Sequence, residues 1–186
     1  MPSPVGHAIA GVAAGWLIAP QAARGSRGQI LRAAAFVLAA TIADIDLLPG
    51  VGTHRGPTHS LAAAVLAGIA TWVWFATGSV HGPVRGDGPR IARDTRSLRF
   101  AIAVTAAYAT HTLLDWLGTD SRPPIGIMAL WPFNRDYYES PLHVFMAISR
   151  RYWLPDFWML NARAIARELV ILAPVLGLVL WLRRST

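Results

Sequence analysis

Seven side chains able to ligate a divalent cation stand at the ends of apolar stretches: His7, Asp44, Asp46, His54, His59, His111 and Asp115. Imidazole nitrogen and carboxylate oxygen form the donor set of zinc, manganese and iron sites, and the chain has no cysteine to add a thiolate. His111 and Asp115 are four apart, so on a helix they lie one turn apart on one face and can clamp a single ion. Asp44 and Asp46 are two apart and point to different sides of a regular helix. Both reach one ion only if the helix unwinds around Ile45; otherwise one is a ligand and the other orients a histidine or a water. The run HRGPTHS, residues 54 to 60, is the densest part. Gly56 and Pro57 turn the chain, and His59 is expected in the first turn of the next helix, where the positive helix end keeps its ring neutral for metal binding.

The chemistry this set suits is metal-assisted hydrolysis. A water is acidified, Asp46 takes its proton, and Arg55, with the free N–H groups at the start of the third helix, stabilises developing oxygen charge. Glu168, in the first turn of the last apolar stretch, is a further general-base candidate, though pairing with Arg163 or Arg167 explains it equally. Asp44, Asp46 and Asp115 close their segments at negative helix ends, where a carboxylate needs a compensating cation. Arg55 or Arg122 is one source of that charge, and a metal ion is the other.

Positioning these residues falls to the apolar stretches, at about residues 5 to 23, 30 to 48, 59 to 80, 98 to 117 and 164 to 182, each near the ~20 residues that cross a bilayer. The chain is 54% hydrophobic and 15% charged with mean hydropathy +0.40, too apolar for an ordinary soluble domain of 186 residues. The expected fold is an all-α integral membrane protein, a single domain over residues 1–186 with about five transmembrane helices. Their alternating direction gathers all seven residues at one face. The opening MPSPVGHAIA has no basic n-region, so the first stretch reads as a retained helix and not a cleaved signal.

All 17 basic residues are Arg, and the net charge is +7. They concentrate in residues 24 to 29, 81 to 97 and 183 to 186, which the positive-inside rule places in the cytoplasm, so the excess calls for no nucleic-acid partner. The cluster then faces the extracytoplasmic side of the inner membrane. Residues 81–97 read as a cytoplasmic connector, with His81 on the wrong face for the cluster. Residues 118–163 carry nine of the eighteen aromatics and read as an extracytoplasmic interfacial segment, with PLHVFMAISRRYW as a helix lying in the interface and His143 on its surface.

The ordered set GH at 6–7, ADID at 43–46, HRGPTHSL at 54–61, HTLLD at 111–115 and ALWPF at 129–133 resembles the YdjM-like family of membrane-bound metal-dependent hydrolases, over residues 6 to 133. The resemblance implies metal-centred residues at His7, Asp44, Asp46, His54, His59, His111 and Asp115. Ala43 stands where members often carry Pro, and the stretch LLPGVGT before HRG is short, which tightens the loop. The function expected is hydrolysis by a metal-activated water of a phospholipid or other amphiphilic phosphoester, with one or two divalent ions. Zinc suits the histidines best, and manganese or iron suits the carboxylates. Membrane lipid is the expected partner. The alternative is a membrane transporter or scaffold with a transported or structural ion; placement of the cluster at segment ends, away from the midplane, favours the enzyme.

Overall fold

The computed structural model describes residues 1–20, 26–48, 54–77, 90–120 and 123–184. Five α-helices form it: α1 (Pro4–Ile18), α2 (Arg27–Thr41), α3 (Leu61–Ala76), α4 (Arg90–Trp116) and α5 (Phe157–Leu182). Two 3₁₀ segments, Ile42–Leu47 and Pro57–His59, lie between α2 and α3. Helix starts follow local chemistry. Ser3, Ser26 and Ser60 are N-caps whose hydroxyls accept from the backbone N–H of Gly6, Gln29 and Ala63, and Pro4 takes the first position of α1, where its missing N–H costs nothing.

α1 and α4 are the central helices: α1 packs against α2, α4 and α5, and α4 against α2 and α3. Close approach depends on small residues. A Cβ built at Gly11 would lie 2.3 Å from Ala40 Cβ and 2.9 Å from the Phe36 carbonyl oxygen, and one at Gly15 would enter the fully buried Phe36 ring. Gly11→Ala is therefore expected to cost about 1–3 kcal/mol through overpacking, and Gly177→Ala, with nothing within 4 Å, should be neutral or slightly stabilising. Thermal unfolding in detergent checks this pair. Equal melting temperatures for the two variants would contradict the packing described.

The C-terminal end of α1 has no basic residue in its own last turn. Guanidiniums from three other places supply the positive charge that the exposed carbonyls favour. Arg183, just past α5, donates to the Trp16 and Ala19 carbonyls, Arg32 of α2 to Pro20, and Arg99 of α4 to Ile18. α1 thus carries arginines at one end and, as described below, histidines and carboxylates at the other.

The expectation of about five membrane-crossing helices is corrected. Among the described residues one helix, Phe157–Leu182, is long and apolar enough to cross a membrane. α1 and α3 are apolar but have 15 and 16 residues, and at 1.5 Å per residue they rise only about 23 Å, short of a ~30 Å hydrocarbon core. α2 contains Arg27 and Arg32 and gives way to 3₁₀ structure at Ile42. α4 is long, but Arg96, Arg99, His111 and Asp115 interrupt its apolar character. Large apolar side chains nonetheless cover the outer faces of α3 and α5, Leu66, Trp74, Val170 and Trp181 among them. Exposed apolar side chains in this number mark contact with a membrane or another protein.

Residues 118–156 hold no helix among those described, so the expected interfacial helix at PLHVFMAISRRYW is also corrected. The segment spends its backbone groups on the site end of the bundle. Leu61 N–H donates to the Ala129 carbonyl, Ser140 N–H to Trp116, Phe145 N–H to Leu117 and Ile148 N–H to Met1. Isolated bridges join Gly118 to Phe145 and Ile127 to Tyr138. The connector expected at 81–97 lies outside the described residues up to residue 89, His81 included, and residues 90–97 belong to α4.

Candidate metal centre

The seven predicted ligands do meet. α1 supplies His7 in its first turn, the 3₁₀ segment after α2 supplies Asp44 and Asp46, and the 54–59 loop supplies His54 and His59. The last turns of α4 supply His111 and Asp115. The helix does unwind, α2 stopping at Thr41, but the two aspartates divide as a ligand candidate and a histidine-orienting group: Asp44 and Asp46 reach opposite nitrogens of one ring. Asp44 Oδ1 is 3.5 Å from His59 Nε2, and Asp46 Oδ2 is 3.3 Å from His59 Nδ1.

The residues fall into two arrangements. In the inner one, Asp115 touches three imidazoles, with carboxylate oxygens 3.3 Å from His7 Nε2, 3.4 Å from His59 Nε2 and 3.1 Å from His111 Nε2. Asp44 Oδ1 adds a fifth donor, 3.7 Å from His111 Nε2. His7, His59 and His111 are all but inaccessible, the rings of His7 and His111 stack with centroids 4.0 Å apart, and those of His59 and His111 lie 4.8 Å apart. The Nε2 atoms of all three histidines, Asp44 Oδ1 and both oxygens of Asp115 are buried without a hydrogen-bond partner. Buried polar atoms without partners are costly, and six of them facing one another call for a cation. The spacings agree. Ligands about 2.0–2.2 Å from a tetrahedral ion lie roughly 3.3–3.6 Å from one another.

Second partners set which nitrogen His111 and His59 present, whereas His7 Nδ1, like its Nε2, is buried without a partner. The Ala40 carbonyl, which can only accept, lies 2.7 Å from His111 Nδ1, so the proton sits there and the Nε2 lone pair faces inward. On the opposite side of the His59 ring, Nδ1 faces the Thr58 hydroxyl at 3.1 Å and Asp46 Oδ2 at 3.3 Å, a carboxylate–histidine arrangement of the kind that holds metal ligands in place.

The outer arrangement is already satisfied. Asp46 Oδ1 lies 2.8 Å from His54 Nδ1, while its Oδ2 accepts from the backbone N–H of Arg55 at 2.9 Å and the Thr58 hydroxyl at 3.0 Å. Asp44, Asp46, His54 and His59 form a second group that could hold an ion by proximity, but Asp46 and His54 contribute no orphaned atom. Of the four clustered histidines, His54 alone is partly exposed, its side chain 21% accessible; it lines a cleft of about 770 Å³, and its Nε2 lies 3.0 Å from the Met1 sulfur.

Charge follows from this geometry. Burial alone would lower the His59 pKa, but Asp44, Asp46 and Asp115 around the ring prevail and push it up to about 9. The neutral ring expected from a helix N-terminus is corrected: His59 ends a 3₁₀ turn before the Ser60 cap, and the carboxylates dominate. Asp46, despite burial, is held well below the usual carboxylate range by His54, His59 and Thr58. In the cation-free chain the imidazolium contributes stability below about pH 6.5 and loses it as pH rises through about 9. A cation must displace that proton, so metal affinity should climb up to about tenfold per pH unit from about pH 6 to pH 8.5, with proton release. Competition titrations with zinc check this; a flat profile would show that His59 does not give up its proton to the ion.

Of the other predicted catalytic residues, Glu168 stands elsewhere, and Arg55 lines the cleft beside His54 but is already paired. Glu168 lies well inside α5, not in its first turn, is fully buried, and accepts from both the backbone N–H and the hydroxyl of Ser3, closing the N-terminus of α1. A Cβ on Gly6 would lie 2.6 Å from its Oε2, so Gly6 clears space for the carboxylate and not for an ion. The guanidinium of Arg55 pairs with Asp120 and donates to the Pro124 carbonyl. Arg55 itself sits at φ 71°, a conformation uncommon for a side-chain-bearing residue, which lets its N–H reach Asp46 and its carbonyl accept from Met128 N–H. Arg122 lies outside the described residues, and His143 is an exposed residue 3.9 Å from Glu139. Sequence reasoning missed Asp120, Thr58, the Ala40 carbonyl and Met1, whose sulfur is 3.0 Å from His54 Nε2. None has a spacing signature.

An all-helical bundle with an apolar outer surface and a buried histidine–aspartate cluster defines a membrane-associated protein with the means to bind a metal ion. A family model described as YdjM inner membrane protein matches residues 1–185, and the chain belongs to that family. No curated protein and no solved structure matches it.

Proposed function

We propose that the chain is a membrane-bound, metal-dependent hydrolase of amphiphilic phosphoesters. The observation that carries this reading is the set of partnerless buried donor atoms set directly behind a histidine, His54, that opens on a cleft. His7, His59 and His111 through Nε2, with Asp44 and Asp115, would hold one or two ions, and zinc fits a donor set of imidazoles and carboxylates that leaves a position for water. When bound, such an ion supplies Lewis acidity and a water acidic enough to react near neutral pH. Asp46 has no lone pair to spare for it; this carboxylate instead fixes His59 and holds the Nδ1 proton of His54. His54, which lines the cleft, takes the proton of the attacking water at Nε2 and returns it to the leaving group, the Met1 sulfur that lies 3.0 Å from that nitrogen giving way to the water. Arg55, on the cleft wall, faces the charge that develops on the substrate oxygens. Glu168 serves the fold.

The test is turnover by purified protein over a panel of phosphoesters and carboxylic esters, with and without chelator. Absence of metal-dependent turnover across the panel would refute the enzyme. The arginines gathered at the far end of α1 support an extracytoplasmic site by the positive-inside rule. Reporters fused after Arg90 and after Asp136 should then report cytoplasm and exterior respectively, and the reverse pattern would invert the orientation.

A further inference from the structure

The cleft beside His54 has a mixed lining: Arg55, Arg150, Arg151 and Asp120 together with Leu47, Leu154 and Leu160. Three guanidiniums against one carboxylate leave two positive charges next to the metal cluster. Where the cleft meets that cluster, the neutral sulfur of Met1 lies 3.2 Å from Arg55 Nε and 3.0 Å from His54 Nε2. A thioether is a weak acceptor, and an anionic oxygen at that point would accept far more strongly. The apolar lining includes Leu160 of α5, the helix long enough to cross a membrane, and nearby Trp153 and Trp158 are largely exposed. The cleft therefore combines cationic and apolar lining beside a surface suited to the headgroup layer.

Resting on the hydrolase reading, we infer that this cleft binds a lipid with a terminal phosphomonoester, its phosphate on Arg55, Arg150 and Arg151 and its chain along Leu154 and Leu160. Charge selects among headgroups. A phosphomonoester carries about −1.5 to −2 near pH 7 and matches two net positive charges, whereas a phosphocholine headgroup is neutral overall. The apolar lining distinguishes a lipid from free phosphate, which has nothing to place there.

The experiment is calorimetric titration of the full chain in a maltoside detergent with chelator present, using a dioctanoyl lipid with a phosphomonoester headgroup, its phosphocholine counterpart, and inorganic phosphate. The first should bind at least about tenfold tighter than either of the others. R150Q/R151Q, at two exposed positions, should remove that advantage, and L154N/L160N should weaken lipid binding while leaving inorganic phosphate unaffected. Equal affinity for the two lipids, unchanged binding by R150Q/R151Q, or phosphate binding as tight as the lipid would each overturn the assignment. Because the chelator removes catalysis from the measurement, selective binding without turnover on reloading zinc would reject the hydrolase alone. Turnover without this preference would reject the cleft assignment alone.

Discussion

Asp115→Ala is expected to take bound zinc from about one ion per chain to near zero while helical content is retained. Asp115 is the residue whose carboxylate faces all three inward-pointing nitrogens, His7, His59 and His111, at 3.1 to 3.4 Å. Without it the three imidazoles keep only Asp44, partly exposed and on one side, so both charge balance and coordination number fail. Asp46→Ala provides the contrast. Asp46 orients His59 from behind, and loss of such a support typically costs about 10–100-fold in affinity, leaving zinc measurable at saturating concentration. Elemental analysis after gel filtration, with circular dichroism for the helices, reads both variants. If Asp115→Ala kept its zinc and Asp46→Ala lost it, the ion would belong to the outer group of Asp44, Asp46, His54 and His59.

His54→Gln should lower turnover by roughly 10²–10⁴-fold with zinc content unchanged, the range ordinarily lost with a positioned acid–base group. The expectation rests on a division of labour visible in the hydrogen bonds. His54 spends Nδ1 on Asp46 at 2.8 Å, and its Nε2, 3.0 Å from the Met1 sulfur, is not among the orphaned atoms. Glutamine keeps the size and polarity but cannot carry a proton between two partners. A matching loss of zinc would make His54 a ligand; full activity would leave the proton to another group.

Much of the centre was legible because local geometry fixes it. A four-residue spacing on any helix puts His111 and Asp115 on one face, and a two-residue spacing sends Asp44 and Asp46 to different sides, so that one faces the cluster and the other orients His59. The cap residues were equally local: Ser3, Ser26 and Ser60 start helices through bonds spanning three residues. Crossing number was misread for a related reason. Hydropathy sums apolar residues over a window but is blind to where a cap or a 3₁₀ turn ends the helix. The stretches at 5 to 23 and 59 to 80 therefore shrink to 15- and 16-residue helices.

The sequence by itself determined the donor types, the absence of thiolate, the apolar segments and the end of each segment at which the donors lie, because these depend on composition and on spacing within a few residues. Only the tertiary structure decided that five residues converge while Asp46 and His54 stand behind them, that Arg55 pairs with Asp120, and that Glu168 holds Ser3. Those choices depend on how helices distant in the chain are rotated and shifted against one another. A rotation of a few tens of degrees exchanges an inward lone pair for one facing a neighbour, and no local spacing records it.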